Sequence, residues 1–240
     1  MKKFVVFTAI FLFINALIYS QISINLPKIT NQNVKWDNTY SFDKSNAFKI
    51  EAYSGKNELM QTLNYKIYYQ SKGENFSIQL IPKKAGNGTE NIIDKKNELA
   101  VQIFGTGENA KPYYNASPFK YPPESDLKKL EIIPTEDTKT ILGYKCKKYT
   151  YTYKKITGEV WLTDEVKMSN DYGIFRASKM AALHNTLSVS GFVMETSIFD
   201  AKGGKTVMQT LSLRNAENYK IYLEGVEMNV AINKVNYYTF

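Results

Sequence analysis

The sequence predicts a mainly β protein built on an antiparallel sheet. Apolar and polar residues alternate through most of the chain, which is the period of a half-buried strand. The strand–helix–strand rhythm of a doubly wound nucleotide-binding fold does not appear. With 240 residues, the chain is long enough to bury its own core without disulfides or a structural metal.

The first twenty residues have the pattern of a secretory signal peptide. Lys2 and Lys3 precede an apolar run, and Ser20 supplies a small residue before Gln21. The apolar run is shorter than the roughly 20 residues that a spanning helix needs. We therefore expect an exported protein, periplasmic or extracellular, that is cleaved near Ser20–Gln21. The remainder, 21–240, is predicted to form a single antiparallel β domain.

Several segments place apolar side chains on one face of a strand and polar side chains on the other. The clearest are AFKIEAY, LNYKIYY, FSIQLI and ELAVQIF. Farther along, GFVMETSIF and VMQTLSLRN flank the turn DAKGGKT, which is a hairpin signal. Because most of these strands have a polar face, they predict an antiparallel sheet with one solvated side.

One segment has helical spacing instead. In SNDYGIFRASKMAALHN, Ile174, Ala177 and Ala181 recur at intervals of three and four residues. We predict a helix over 172–184 that packs against the concave side of the sheet.

The alternation stops over 105–137, where Gly, Pro, Asn and Tyr are frequent. A connection of this length within a compact domain is usually a functional lid or a mobile segment, so we predict a long loop. Its aromatic residues could lie across the concave face, and ordinary tyrosines of a surface loop are the alternative. They are Tyr113, Tyr114, Phe119 and Tyr121.

The net charge is +8, and it falls to +6 (8 minus 2) once Lys2 and Lys3 are removed. The lysines are scattered along the chain, which favours a solvated basic face over a nucleic-acid interface. Attraction of this face to anionic lipid head groups, as a peripheral membrane contact, is the other reading.

The chain offers little material for catalysis. His184 is the only histidine and Cys146 the only cysteine, which excludes a multi-histidine metal site and an internal disulfide. The lysines beside Cys146 point to the opposite face of a strand, so a small buried wall residue is favoured over an activated thiolate. We expect no enzymatic activity, no metal and no cofactor.

A ladder of tyrosines follows the cysteine. Tyr149 and Tyr151 share one strand face, where they either line an apolar pocket or stabilise the sheet as cross-strand neighbours. Cys146 lies in the opposite phase, so the alternation slips at Lys147–Lys148. A β-bulge there would return both sets to one face and sharpen the bend of the sheet.

These observations give a set of candidate ligand-binding residues on the concave face and the lid. The set consists of Tyr65, Tyr113, Tyr114, Phe119, Tyr121, Tyr149, Tyr151 and Trp161.

The strand order and several motifs resemble the domain of unknown function 4412 family, a group of exported bacterial proteins related to the GLPGLI proteins. The most specific piece is KTILGYKCKKY followed by WLT, and the resemblance covers roughly 40–235. Both groups are similar to the lipoprotein carriers LolA and LolB, in which a curved antiparallel sheet forms an open half-barrel with helices against its concave face. The resemblance implies the same curved antiparallel half-barrel for this chain.

The resemblance implies a non-enzymatic periplasmic protein that binds an apolar ligand, such as a lipid, an acyl chain or a lipidated partner. It implies no catalytic residues. The alternative is an envelope-associated structural or protein-interaction module without a small-molecule ligand, which would use an edge strand or the basic face.

Overall fold

The computed structural model describes residues 34–82, 88–105, 111–119, 130–153, 155–167, 189 and 191–230. Within these ranges the chain forms fourteen strands and no helix, and so no helix that could cross a membrane. The predicted signal peptide and the predicted helix over 172–184 both lie outside the described residues.

The strands follow one another in two groups along the chain. The first group is β1 (Thr39–Phe42), β2 (Lys44–Tyr53), β3 (Leu59–Tyr69), β4 (Phe76–Ile81), β5 (Thr89–Asp94), β6 (Leu99–Phe104) and β7 (Tyr113–Pro118). The second is β8 (Leu130–Ile141), β9 (Tyr144–Tyr153), β10 (Ile156–Thr163), β11 (Phe192–Phe199), β12 (Lys205–Arg214), β13 (Tyr219–Tyr222) and β14 (Met228–Val230).

Twelve of the described strands form one open sheet in the order β14-β7-β6-β5-β4-β3-β2-β12-β11-β10-β9-β8. Neighbours are antiparallel throughout, except for the parallel pair β14 and β7. β2 to β7 form one meander and β8 to β12 a second, and the pairing of β12 with β2 joins them. The remaining two, β1 and β13, pair with each other as a separate two-stranded ribbon. The prediction of a mainly β, curved antiparallel sheet is confirmed.

The sheet is buried on both faces by alternating side chains. On one side, which we call the core face, Phe48, Tyr65, Ile78 and Val160 belong to a continuous apolar cluster that extends from β2–β6 to β9–β12. The opposite side, the ribbon face, carries a second cluster that includes Ile92 and residues of the ribbon. Burial on both faces explains why strand β5 reads as consecutive apolar residues at its centre.

The expected long loop over 105–137 is wrong where the structure describes two strands within it. Strand β7 lies inside it, paired with β6 from Phe104↔Tyr113 to Leu99↔Pro118, and β8 begins at Leu130. The alternation was hidden because Asn115 is a buried polar residue of β7.

In β8 the strand pattern was masked by Pro134 and by acidic residues. Both are tolerated because β8 is an edge strand, with no described strand on its other side.

The predicted bulge at Lys147–Lys148 is also wrong. Strand β9 pairs with β10 without interruption from Leu162↔Lys147 to Ile156↔Tyr153. The irregularity lies in the neighbouring strand, where β8 shifts register between Pro134 and Thr138. Regular alternation therefore leaves Cys146 and Tyr149 in opposite phases of the strand, although both pack in the core-face cluster.

Two buried carboxylates of β5 hold the ribbon on the ribbon face. The hydroxyl of Tyr40 in β1 donates to Asp94 Oδ2 at 2.7 Å, and the hydroxyl of Tyr219 in β13 donates to Glu90 Oε2 at 2.7 Å. Ile92 lies between the two carboxylates and is fully buried. Buried carboxylates are costly unless they are hydrogen-bonded, so the ribbon and β5 depend on each other.

The Tyr40 contact can be measured with a matched pair of variants in the ribbon. Tyr40→Phe removes a donor from fully buried Asp94, so we expect the free energy of unfolding to fall by about 1–3 kcal/mol. Tyr222→Phe alters a ribbon tyrosine that is 66% exposed, and it should change stability by less than about 0.5 kcal/mol. If urea denaturation shows that Tyr40→Phe and Tyr222→Phe lose the same amount of stability, Tyr40 does not anchor the ribbon.

The burial of Glu90 predicts that the stability of the folded protein depends on pH. Burial raises the pKa of Glu90, although hydrogen bonds from Ser77 and Tyr219 oppose the shift. The folded state thus binds this proton more tightly than the unfolded chain. The resulting stabilisation is fully present below the ordinary carboxyl pKa and is lost as the pH rises through the raised pKa.

Glu90→Gln removes this titration. Relative to wild type, the variant should therefore gain stability as the pH is raised from about 4 to about 8. Urea denaturation across this range measures the difference, and exposed Glu58 provides the control variant Glu58→Gln. A difference that is constant with pH would show that Glu90 does not titrate as described.

Candidate ligand-binding cleft

The centre of the core face is filled by the protein itself. Phe48 and Tyr65 are each 1% exposed, and their rings stack with centroids 5.3 Å apart. Tyr151 is also buried, and its ring lies over Gly158, which is its cross-strand partner in β10. A side chain at Gly158 would meet the Ser197 carbonyl oxygen at 2.6 Å as well as this ring, so glycine is required there.

An open cleft of about 570 Å³ lies at one end of strands β8, β9 and β10, at the margin of the core face. It combines hydroxyl, cationic, aromatic and aliphatic groups, with two carboxylates from the segment that follows β10. The residues that line it are Thr138, Lys139, Thr140, Lys145, Cys146, Lys147, Tyr149, Leu162, Asp164 and Glu165.

The register of the β8–β9 hairpin aligns the polar side chains of the cleft. Thr138 is opposite Lys147, and Thr140 is opposite Lys145, so that two threonines and two lysines share one face. Leu162 of β10 is opposite Lys147 and adds an apolar wall. The cleft thus has a cationic, hydroxyl-bearing side next to an apolar one.

The lysines that line the cleft differ in their partners. The Lys139 amine lies 2.8 Å from Glu195 Oε1 and 4.2 Å from the centroid of the Trp161 ring. Lys145 and Lys147 are exposed, and neither forms an ion pair within the described part of the chain.

Glu165 closes one side of the cleft. Its Oε1 accepts a hydrogen bond from the main-chain N–H of Lys145 at 3.0 Å, which ties the segment after β10 to the hairpin. The main-chain N–H of Lys145 thus holds the Glu165 carboxylate in place, and the Lys145 side chain remains exposed to solvent.

The structure brings together only part of the predicted ligand-binding set. Tyr65, Phe119, Tyr149 and Tyr151 belong to the core-face cluster, but only Tyr149 also lines the cleft. Phe119 is 2% exposed and is part of the packed core rather than of a movable lid.

The other members of the set lie elsewhere. Tyr114 packs in the ribbon-face cluster, and Tyr113 is 42% exposed beside Phe104. Trp161 is opposite Lys148 and Glu195 and packs against the core-face cluster, but it does not line the cleft. Tyr121 lies outside the described residues.

Sequence reasoning missed the polar wall of the cleft. Its signal was present in TKTILGYKCK, where T-x-T and K-x-K flank the short turn at Leu142–Gly143. Recognising that turn would have paired the threonines with the lysines on one face. The loop predicted over 105–137 hid the first strand of this hairpin.

Cys146 is almost fully buried, with 1% exposure, and its thiol donates to the Tyr144 carbonyl oxygen at 3.4 Å. Burial raises the pKa of the thiol, and Lys139 opposes the shift without reversing it. No group of three or more metal-ligating side chains occurs within the described ranges.

No protein-family model matches the chain, and no curated protein matches it. Among solved structures it is similar to PNGF-II, with a TM-score of 0.42 and 19% identity over 78% of this chain and 31% of that chain. A second PNGF-II structure gives a TM-score of 0.41 and 17% identity, over 81% and 32% of the two chains. The chain thus spans about a third of the length of PNGF-II.

A DUF1329 family protein from Desulfovibrio piger is similar with a TM-score of 0.30 and 10% identity, over 78% of this chain and 88% of that chain. Scores at this level carry no inference about function. The more specific resemblance to the domain of unknown function 4412 family stays a prediction.

The buried thiol gives a direct chemical test. Because burial raises its pKa, Cys146 should react with iodoacetamide at about pH 8 at least roughly tenfold more slowly in the native protein than in denaturant. Mass spectrometry of the alkylated protein measures both rates on the single cysteine. Native labelling as fast as in the unfolded chain would contradict a buried, protonated thiol.

Proposed function

We propose that the protein is a non-enzymatic binding protein for an apolar or amphiphilic ligand, such as a lipid, an acyl chain or a lipidated partner. The observation that carries the proposal is the open cleft at the end of β8–β10, which adjoins the apolar core face. Its volume of about 570 Å³ is within the range of small-molecule sites.

The chemistry of the lining supports an amphiphile in particular. Tyr149 and Leu162 offer an apolar wall that can exclude water from a hydrocarbon chain. Lys145 and Lys147, with the opposing threonines, offer donors for a polar or anionic end of the ligand. The buried core face excludes the broader site first expected from its tyrosines, so the ligand would occupy the sheet margin.

Several sequence features support placing this activity outside the cytoplasm. The proposed signal peptide and the resemblance to exported families both suggest an exported, periplasmic carrier or sensor of lipid. The raised pKa of the buried Cys146 thiol favours a binding role over nucleophilic catalysis.

The second candidate is an envelope-associated interaction module, and the edge of the sheet at β8, which has no further strand beside it among the described residues, is the observation that favours it. An unpaired edge can accept a strand from another protein. However, Pro134 and the register shift that follows it interrupt this edge, which is how natural sheets prevent edge pairing. The cleft therefore supports the binding role better.

Filling the cleft tests the proposal. Thr138→Trp places a large ring in the lining without altering the buried core, and we expect it to weaken binding of a dansyl-labelled fatty acid by about tenfold or more. Thr152→Trp is the matched control, since Thr152 is an exposed threonine of the same hairpin on the opposite face. Fluorescence titration gives both affinities.

Native mass spectrometry of the protein purified from its own envelope provides the second measurement. A bound lipid or acylated protein that Thr138→Trp loses and Thr152→Trp retains would support the role. If the labelled fatty acid does not bind the wild-type protein and no lipid co-purifies, the proposal is wrong.

A further inference from the structure

The tip of the β8–β9 hairpin has an apolar residue where the backbone disfavours it. Leu142 has a φ of 52° and Gly143 a φ of 86°, so both central residues of this two-residue turn are left-handed. Turns of this kind prefer Asn-Gly or Asp-Gly, since a residue such as leucine is strained there. Leu142 is nonetheless 49% exposed and gains little burial in return.

The hairpin that carries the leucine is rich in lysine, and an acidic side chain that the structure describes beside it, Glu165, accepts from the Lys145 main-chain N–H. From Thr138 to Lys148 the chain contains four lysines and no acidic residue. Lys139 and Lys148 are ion-paired on the Trp161 side of the hairpin, whereas Lys145 and Lys147 are exposed on the cleft side. The exposed apolar tip is thus followed along β9 by two lysines, Lys145 and Lys147, that form no ion pair among the described residues, at the mouth of the cleft.

We propose that this hairpin tip docks the protein on an anionic lipid surface, with Leu142 inserted among the acyl chains and Lys145 and Lys147 at the level of the head groups. A strained backbone conformation held at an exposed apolar residue points to a function that outweighs its cost. An apolar tip with a basic collar is complementary to an anionic bilayer surface, which is apolar inside and negative outside.

The position of the tip relates docking to the proposed ligand site. Thr140 and Lys145 are the first cross-strand pair on the cleft side below the turn, and both line the cleft. A docked tip would hold the mouth of the cleft at the membrane surface, where an amphiphile can pass between bilayer and protein. Docking itself needs only the tip and its charges, so it stands independently of whether the cleft is occupied.

The decisive variant is Leu142→Asn, which installs the preferred Asn-Gly turn. It should raise the midpoint of urea denaturation and at the same time weaken binding to vesicles of phosphatidylcholine with about 30% phosphatidylglycerol by about fivefold. A gain in stability together with a loss of vesicle binding separates a docking role from a structural one. If Leu142 served only the fold, the more favourable Asn-Gly turn would not weaken vesicle binding.

Charge is tested in the same co-sedimentation assay. Lys145→Gln should weaken binding by about fivefold, and raising the salt from about 0.1 M to about 0.5 M should weaken wild-type binding further. Vesicles of phosphatidylcholine alone should bind only marginally.

The control variants lie at the opposite end of the strands. Lys202→Gln removes an exposed lysine from the β11–β12 turn, and Leu59→Asn removes a leucine that is 55% exposed at the start of β3. Both should bind vesicles as wild type does. If Leu142→Asn binds vesicles as tightly as wild type does, or if Lys202→Gln weakens vesicle binding as much as Lys145→Gln, the proposal that this tip docks on the membrane is wrong.

The two proposals fail in different measurements. Leu142→Asn should leave the affinity for the dansyl-labelled fatty acid unchanged, because Leu142 does not line the cleft. If Leu142→Asn loses vesicle binding and keeps normal fatty-acid binding, the tip acts in docking and not in ligand binding. Vesicle binding by a wild-type protein that does not take up the fatty acid would retain the docking proposal and reject the ligand site.

Discussion

The antiparallel pairing of β12 with β2 is the contact on which the rest of the sheet depends. It joins strands that are far apart in the sequence, with Met208 opposite Ile50 and Thr210 opposite Phe48 on the core face. Buried Thr210 is compatible with this face because its hydroxyl donates to the Val193 carbonyl oxygen of β11. Without the β12–β2 pairing, the two meanders would separate and each would expose its apolar face to solvent. The cleft and its hairpin are therefore positioned by a pairing that lies three strands away.

The ribbon face is organised by polar contacts rather than by apolar packing alone. Glu90 and Asp94 lie on one face of β5, and each receives a tyrosine hydroxyl from a different ribbon strand. Tyr219 also stacks on Tyr68, with ring centroids 3.9 Å apart. Two directional hydrogen bonds fix the position of the ribbon more sharply than a smooth apolar surface would, since a displaced ribbon would remove the tyrosine donor from each buried carboxylate.

The sequence was informative where apolar and polar side chains alternate along a strand, and misleading where a strand contains a buried polar residue or lies at an edge of the sheet. β2, β3 and β12 followed from alternation, whereas β7 was missed because Asn115 points into the core. The cleft was missed for a related reason. Its walls come from cross-strand pairs such as Thr138 with Lys147, and register is not visible until the turn at Leu142–Gly143 is recognised.

The distribution of strain and burial separates the parts of the molecule that maintain the fold from those that interact with other molecules. Central aromatic residues such as Tyr65 are enclosed by the protein's own chain, so they stabilise the sheet and have no surface left for a ligand. Leu142 shows the reverse, because its backbone conformation costs free energy and its side chain recovers little of it within the protein. In the docking proposal, an apolar environment outside the chain would recover the free energy that this conformation costs. The lipid contact is therefore proposed at the β8–β9 hairpin, at the margin of the packed core, and not on the buried core face.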